Sequence, residues 1–286
     1  MTGKIIPDPV DVRDLIYRPS LALLPDQFLC AAIDPRIRAC SGLFKVRQQG
    51  KQPICIGEAL AALIDIQRIE SFQQRGDVHD AQAVVLPASA TMLQAMALVV
   101  ENTDTGSSAP DIHSLRSGLK GFYNTGVCTE KTWRQEVRGK SMAAFDDASV
   151  TVMREARNVT LGAYYRVASI INDYHSALAE AGALYVAAEL HGGWSHPPNG
   201  VINHTDAGAA PAAAHAFVIV GYNSDGFLVL NSWGKAWGGY TFAPHARLPG
   251  VALWSYADWA ATVLDAWVLR LAAPTPASFP DRKSVV

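Results

Sequence analysis

Long apolar runs are absent from this sequence, and none of its segments is long enough to span a bilayer. The first residues, MTGKIIPDPVDVRD, also lack the apolar core of a secretory signal peptide. Neither sign of charge is in excess, since 24 Lys and Arg oppose 26 Asp and Glu for a formal net charge of −2. This balance gives no reason to expect nucleic acid or a membrane surface as a partner. We therefore expect a soluble cytoplasmic protein, with secretion by a leaderless route as the alternative.

Cysteine is scarce as well, which limits disulfide chemistry. The chain of 286 residues contains four cysteines: Cys30, Cys40, Cys55 and Cys128. Four cysteines in so long a chain do not make a disulfide framework, and a reducing compartment would keep their thiols free. Cys30 and Cys40 are a candidate pair if the protein is exported.

The spacing typical of a metal site is also missing. Three of the eight histidines crowd one segment, namely His191, His196 and His204, but they lack the paired spacing of a zinc site. Gly and Pro around them favour a loop. We therefore expect no metal and no cofactor.

The order of helical and strand patterns predicts an α+β fold with a single domain over residues 1–272. Residues 1–45 are expected to form an irregular arm. Helical patterns dominate residues 46–150, and strand patterns dominate residues 151–272. The tail, residues 273–286, is rich in Pro and Ser and is expected to be flexible.

Several finer features are predicted within these regions. A polar insertion is expected over residues 70–86, followed by an Ala-rich helix from about Ser89 to Asn102. Asp111 is a good N-cap for the next helix. One helix, near residues 172–181, is expected within the strand region.

Cys55 has a sequence setting that activates a thiol. Pro53 precedes it, and apolar residues recur at helical spacing from Ile56 to Ile66. This pattern predicts a buried helix with Cys55 in its first turn, where unpaired N–H groups and the helix dipole favour a thiolate. The alternative is that Cys55 is a small buried hydrophobe.

Two polar residues stand at the outer ends of two predicted buried strands. His215 precedes the apolar run 216–220, and Asn231 follows the run 227–230, with an Asp-Gly turn between the two runs. Antiparallel pairing would bring His215 close to Asn231, so that the amide orients the imidazole. Otherwise His215 is a satisfied core histidine and Asn231 an ordinary turn residue.

Other residues fit the same chemistry. Trp233 and Trp237 follow Asn231 at intervals suited to cover an amide–imidazole hydrogen bond and exclude water from it. Gln49 stands six residues before Cys55, and its amide is a candidate donor to the oxyanion of a tetrahedral intermediate. A nucleophile, a base, an orienting amide and an oxyanion donor are the parts that acyl transfer needs.

Taken together, these residues resemble the active site of the papain-like cysteine peptidases, in the same chain order. The match is most specific in Asn231-Ser232-Trp233-Gly234 and in Trp237-Gly238, and it covers most of residues 8–272. The resemblance implies a two-lobed fold, with a helical N-terminal lobe and an antiparallel sheet or barrel as the C-terminal lobe. The active site would lie in the cleft between the lobes.

The resemblance also implies a role for each candidate residue. Cys55 is the expected nucleophile, His215 the general base and then acid, and Asn231 the residue that orients the imidazole. Gln49 is the expected oxyanion donor. Trp233 and Trp237 are expected to shield the triad.

The sequence departs from the family pattern near the nucleophile. Gln52 and Ile56 stand where the family usually has a cysteine and an aromatic residue. Glu58 replaces a bulky apolar residue, and it would oppose a thiolate if it faced the site. About 45 residues precede Gln49, which is too few for a long inhibitory propeptide. A bacterial-type member without a propeptide is therefore expected.

The predicted function is hydrolysis of peptide bonds through a thioester on Cys55. The expected partners are a protein or peptide substrate and a regulatory partner protein, with no nucleic acid and no membrane. Two alternatives stay open: an acyltransferase or deamidase with the same thioester, and a catalytically silent binding module on the same fold.

Overall fold

A long central helix, α1 (Cys55–Arg75), lies against a mixed β-sheet and positions the predicted nucleophile. The computed structural model describes residues 5–20, 22–37, 42–75, 86–105, 114–137, 150–203, 213–244 and 246–273. Every residue from Ile54 to Ile66 is buried, so the first turns of α1 are enclosed on all sides. This explains why the segment is apolar all round instead of showing one polar face.

Seven α-helices form in the described residues, and none of them is long and apolar enough to cross a membrane. Five lie before the main strands and build the helical lobe, and two lie among the strands. They are α1, α2 (Ala90–Thr105), α3 (Leu115–Thr125), α4 (Glu130–Glu136), α5 (Val150–Ala156), α6 (Ile171–Ala181) and α7 (Tyr256–Thr262).

The second lobe is an eight-stranded sheet in the order β2-β10-β3-β5-β6-β9-β4, with β1 paired to the end of β5. All of its pairs are antiparallel except β4 with β9. A separate two-stranded sheet joins β7 to β8. The strands are β1 (Phe28–Leu29), β2 (Leu161–Arg166), β3 (Leu184–Leu190), β4 (Val201–Ile202), β5 (Ala213–Tyr222), β6 (Gly226–Leu230), β7 (Gly238–Phe242), β8 (Ala246–Pro249), β9 (Val251–Ser255) and β10 (Val263–Leu271).

Strand β5 is buried on both faces, which explains its continuous apolar sequence. Ala216, Val218 and Val220 belong to the core that includes α1, and Phe217 and Ile219 belong to the core on the opposite face. Side chains alternate across a strand, so each face supplies one of the two cores. The predicted hairpin is confirmed, since β5 pairs antiparallel with β6.

Asp8 in the N-terminal arm has a buried carboxylate that hydrogen-bonds to both lobes. Asp8 Oδ2 accepts hydrogen bonds from the backbone N–H of Arg116 in α3 and from Nε1 of Trp267 in β10, both within 3.2 Å. The backbone N–H of Asp8 donates to Asp265 Oδ2 at 3.1 Å. The arm therefore links the helical lobe to the sheet.

Several sequence expectations need correction. Residues 70–75 continue α1 and do not belong to the polar insertion, because the half-exposed end of a helix tolerates polar side chains. The helix after α2 begins at Leu115, and Ser114 is its N-cap, since its side chain accepts the N–H of Ser117. Asp111 lies outside the described residues. Helices α5 and α7 also fall in the region expected to hold strands and one helix.

Gly57 of α1 packs directly against the backbone of α2, so we expect Gly57→Ala to destabilise the protein. A Cβ atom there would lie 2.1 Å from the carbonyl oxygen of Ala90. Overpacking of this kind costs about 1–3 kcal/mol of unfolding free energy, which urea denaturation would measure. The control is Gly42→Ala, where the new Cβ would meet nothing within 4 Å. Equal losses for the two variants would contradict this packing.

Candidate active site

Cys55 is the first residue of α1, where backbone N–H groups lack partners within the helix. The N–H of Glu58 donates to the Ile54 carbonyl at 2.9 Å, and the N–H of Gly57 donates to Gln94 Oε1 at 2.9 Å. Burial raises the pKa of the Cys55 thiol, and the N–H groups of Ile56 and Cys55 oppose that rise. The thiolate that the sequence predicted is therefore not favoured at this helix end, because burial outweighs the backbone donors.

A third donor reaches this sulfur from the other lobe. Burial raises the pKa of Cys55, and the backbone N–H of Ala216 in β5 also opposes that rise. Ala216 directly follows His215 in the chain. The structure therefore brings the tip of α1 onto the strand that carries the predicted base.

His215 and Asn231 form a buried hydrogen bond of 2.8 Å between Nε2 and Oδ1. The backbone N–H of Ser232 donates to the same Oδ1 at 2.7 Å, which identifies this atom as the acceptor oxygen. His215 Nε2 must then carry the proton, so the neutral imidazole has its lone pair on Nδ1. Among the described residues, Nδ1 has no hydrogen-bond partner. Its lone pair is therefore available to accept a proton.

The predicted shielding tryptophans lie beside the histidine. The rings of Trp233 and His215 are 4.8 Å apart, and Trp237 meets Trp233 edge to face at 5.6 Å. Trp237 Nε1 donates to the carbonyl of Trp194 at 2.7 Å, which fixes the outer ring. The tryptophan pair covers one side of the imidazole.

Gln49 is joined to the Asn231 segment by two hydrogen bonds. Its N–H donates to the Ser232 carbonyl at 2.9 Å, and its Oε1 accepts the Ser232 hydroxyl at 2.7 Å. The side-chain Nε2 donates to the Gln52 carbonyl at 3.1 Å. Since Oε1 faces Ser232, the amide NH₂ is turned toward the loop that leads to Cys55.

Burial opposes each charge that the site would carry. It lowers the pKa of His215 from 6.5 to about 4, while the Asn231 hydrogen bond acts in the opposite direction. It raises the pKa of Cys55 above 9.0, against the three backbone donors. Cys55 is 4% exposed and His215 is fully buried. Both groups are therefore neutral over a wide pH range, since burial disfavours the imidazolium and the thiolate alike.

Glu58 does not act on the site as an unpaired charge. Its carboxylate pairs with Arg47 at 3.3 Å, and Arg47 also binds Asp65 at 2.5 Å. Burial raises the pKa of Glu58, and Arg47 opposes that rise. The backbone carbonyl of Arg47 also accepts a hydrogen bond from the N–H of Gly234 at 3.0 Å. Glu58, which departs from the family pattern, is thus neutralised by an ion pair that joins α1 to the segment before Gln49.

Sequence reasoning missed three polar residues around the site. Ser232 holds both Asn231 and Gln49, and its position within the Asn-Ser-Trp-Gly motif was a usable signal. Gln94 on α2 and Tyr185 on β3 contact the first turn of α1. Nothing in the local sequence of those two residues indicates these contacts.

The remaining candidates lie elsewhere. Cys30 is a free, buried thiol that donates to Glu70 Oε1 at 3.1 Å, and Cys40 lies outside the described residues. A cavity of about 870 Å³ lies at the far end of α1, between Glu70, Glu180 and Arg270. It contains none of the predicted site residues.

Known proteins resemble this chain in sequence and in fold. Residues 115–248 match the family profile described as papain family cysteine protease. No curated protein sequence matches the chain. Xylellain, a cysteine protease from Xylella fastidiosa, is 24% identical over 95% of this chain and 96% of that chain, with a TM-score of 0.72. Procathepsin B from Trypanosoma congolense is 12% identical over 94% of this chain and 87% of that chain, with a TM-score of 0.64. A cysteine protease from Carica candamarcensis is 17% identical over 86% of this chain and 98% of that chain, with a TM-score of 0.56.

These likenesses confirm the papain-like resemblance and the two-lobed α+β fold. The matched segment contains His215, Asn231, Trp233 and Trp237, whereas Gln49 and Cys55 precede it. The latter two are joined to the segment by contacts in the structure, through Ser232 and Ala216.

Loss of Arg47 is expected to destabilise the protein strongly. Arg47→Met would leave the carboxylates of Glu58 and Asp65 buried without their partner, which costs about 3–5 kcal/mol of unfolding free energy. The control is Lys120→Met, whose partner Asp104 is half exposed, and its loss should stay below about 1 kcal/mol. Urea denaturation would measure both variants. Similar losses would contradict a structural role for the Arg47 ion pairs.

Proposed function

We propose that this papain-like chain, whose fold and matched segment are those of the papain family of cysteine proteases, hydrolyses peptide bonds through a thioester on Cys55. The substrate is a protein or peptide. The proposal is carried by one observation: within the part of the chain that the structure describes, the hydrogen bond to Asn231 leaves His215 Nδ1 without a partner, next to Ala216, whose N–H acts on the Cys55 sulfur.

The first half-reaction forms the thioester. His215 Nδ1 takes the proton of the Cys55 thiol, and the sulfur attacks the carbonyl carbon of the scissile bond. The C–N bond then breaks, and the imidazolium returns the proton to the leaving amine. Proton transfer within the buried pair creates two opposite charges together, so their attraction offsets the desolvation of each.

The carbonyl oxygen becomes negative in this step and needs donors. The N–H of Cys55 lies at the free end of α1, and Gln49 Nε2 has a second N–H besides the one bound to Gln52. We assign both as oxyanion donors. The Ser232 hydroxyl fixes the Gln49 amide in the orientation that this role requires.

The second half-reaction returns the enzyme to its starting state. His215 accepts a proton from water, the resulting hydroxide attacks the thioester carbon, and the C–S bond breaks. The thiolate regains its proton from the imidazolium. Trp233 and Trp237 limit the access of other water molecules to the His215–Asn231 bond.

Cleavage of a peptide library by the purified chain would test this function. We expect new backbone termini with the wild type, and a loss of a factor of about 10⁴ or more in Cys55→Ala, because a triad without its nucleophile retains only residual catalysis. Mass spectrometry of the products gives the answer. Deamidated or crosslinked glutamine without backbone cleavage would favour the acyltransferase reading. No product and no labelling of Cys55 by an epoxide would favour the silent binding module.

The pH dependence should show an unusually wide plateau. The pair must hold one proton to react, and burial places the gain of a second proton near the His215 pKa of about 4. The last proton is lost above pH 9.0, because burial raises the pKa of Cys55 above its ordinary value. We therefore expect kcat/KM to fall with a midpoint near 4 on the acid side and above 9.0 on the alkaline side. An acid midpoint at the ordinary histidine value of 6.5 would contradict this electrostatic account.

A further inference from the structure

Two side chains from outside α1 hold the turn that carries Cys55. The first is Gln94 on α2, which is 5% exposed. Its Oε1 accepts the N–H of Gly57 at 2.9 Å, and its Nε2 donates to the Pro53 carbonyl at 3.2 Å. One amide therefore binds the backbone two residues before and two residues after Cys55.

The second side chain is Tyr185 on β3, in the other lobe. Its hydroxyl donates to the carbonyl of Ile56 at 3.1 Å, and the residue is fully buried. Burial raises the pKa of Tyr185, and Cys55 adds to that rise. Strand β3 pairs with β5, and Ala188 lies opposite His215 in that pairing. The bond thus joins the Cys55 turn to the strand pair that carries the base.

A glycine makes room for this contact. A Cβ atom at Gly118 would lie 3.2 Å from the Tyr185 hydroxyl and 3.0 Å from Cγ2 of Ile56. Helix α3 therefore packs directly over the hydrogen bond and shuts it off from solvent. A buried hydroxyl that is enclosed in this way has little freedom to choose another acceptor.

We propose that Gln94 and Tyr185 form a clamp that positions Cys55 for reaction: Gln94 fixes the turn within the helical lobe, and Tyr185 fixes it relative to β3 and β5. Both are positioning residues that act through the backbone of residues 53–57. The catalytic part of this inference rests on the proposed function, whereas the clamp itself is a property of the fold.

Two variants remove the clamp bonds and keep the side-chain bulk. Gln94→Met loses both amide bonds, and Tyr185→Phe loses one oxygen atom. We expect kcat/KM to fall by about tenfold to a hundredfold in each, mainly through kcat, because small displacements of reacting groups carry losses of this size. Hydrogen exchange of the backbone amides of residues 54–58 should also become about fivefold faster for each bond lost, because a hydrogen bond contributes about 1 kcal/mol and about 1.4 kcal/mol is a factor of ten.

The chain offers a matched control for each variant. Gln67→Met removes a bond from the Gln67 amide to the Leu269 carbonyl, at the other end of α1. Tyr222→Phe removes a bond from the buried Tyr222 hydroxyl to the Pro25 carbonyl at 2.8 Å. We expect both controls to lose some thermal stability but to keep the kcat of the wild type and its exchange rates at residues 54–58.

The outcomes separate the clamp from the function. Unchanged exchange at residues 54–58 in both clamp variants would overturn the clamp, whether or not the wild type cleaves peptides. Faster exchange with an unchanged kcat would overturn its role in positioning. If the wild type cleaves nothing, the proposed function fails, and the exchange rates still decide the clamp. Should Gln94→Met not fold, Tyr185→Phe decides it alone.

Discussion

The contact between the first turn of α1 and strand β5 is the constraint on which the rest of the structure depends. It places the Cys55 sulfur under the backbone N–H of Ala216, next to His215 in the chain. The contact needs a helix that is buried on all sides at its N-terminal end and a strand that is buried on both faces. One core joins α1 to this face of the sheet, and neither lobe holds the whole site. Chemistry at this junction therefore depends on how precisely the lobes are held together.

Directional hydrogen bonds convert this contact into a defined chemical state. Ser232 is central to these bonds. Its N–H donates to Oδ1 of Asn231, and its hydroxyl donates to Oε1 of Gln49 and so orients that amide. The first bond fixes the imidazole tautomer, and the second directs the NH₂ group of Gln49. Burial then stabilises the neutral forms of thiol and imidazole separately, so that charge is generated only by moving a proton between them. The site is neutral as a whole, and in the proposed mechanism it becomes reactive when the proton moves from the sulfur to the imidazole.

The sequence was informative wherever a residue's role depends on its immediate neighbours. The apolar pattern after Pro53 indicated α1, and the runs around Asp225-Gly226 indicated the β5–β6 hairpin that brings His215 to Asn231. The contacts of Gln94 and Tyr185 were not predictable, because they depend on how α2 and β3 pack against α1. Glu58 shows the same limit: the sequence indicates a charge opposed to the thiolate, but its partner Arg47 meets it only through the tertiary fold.

The pH dependence of Cys55 alkylation by iodoacetamide, compared between the wild type and His215→Gln, tests the central claim most directly and requires no substrate cleavage. If sulfur and imidazole share one proton, the wild type should be alkylated at a steady rate from about pH 5 upward, since its lower transition lies near 4. The variant should react only as the thiol itself ionises, above 9.0. Superimposable curves for the two proteins would contradict the account, because they would show that the imidazole does not take the proton from the sulfur.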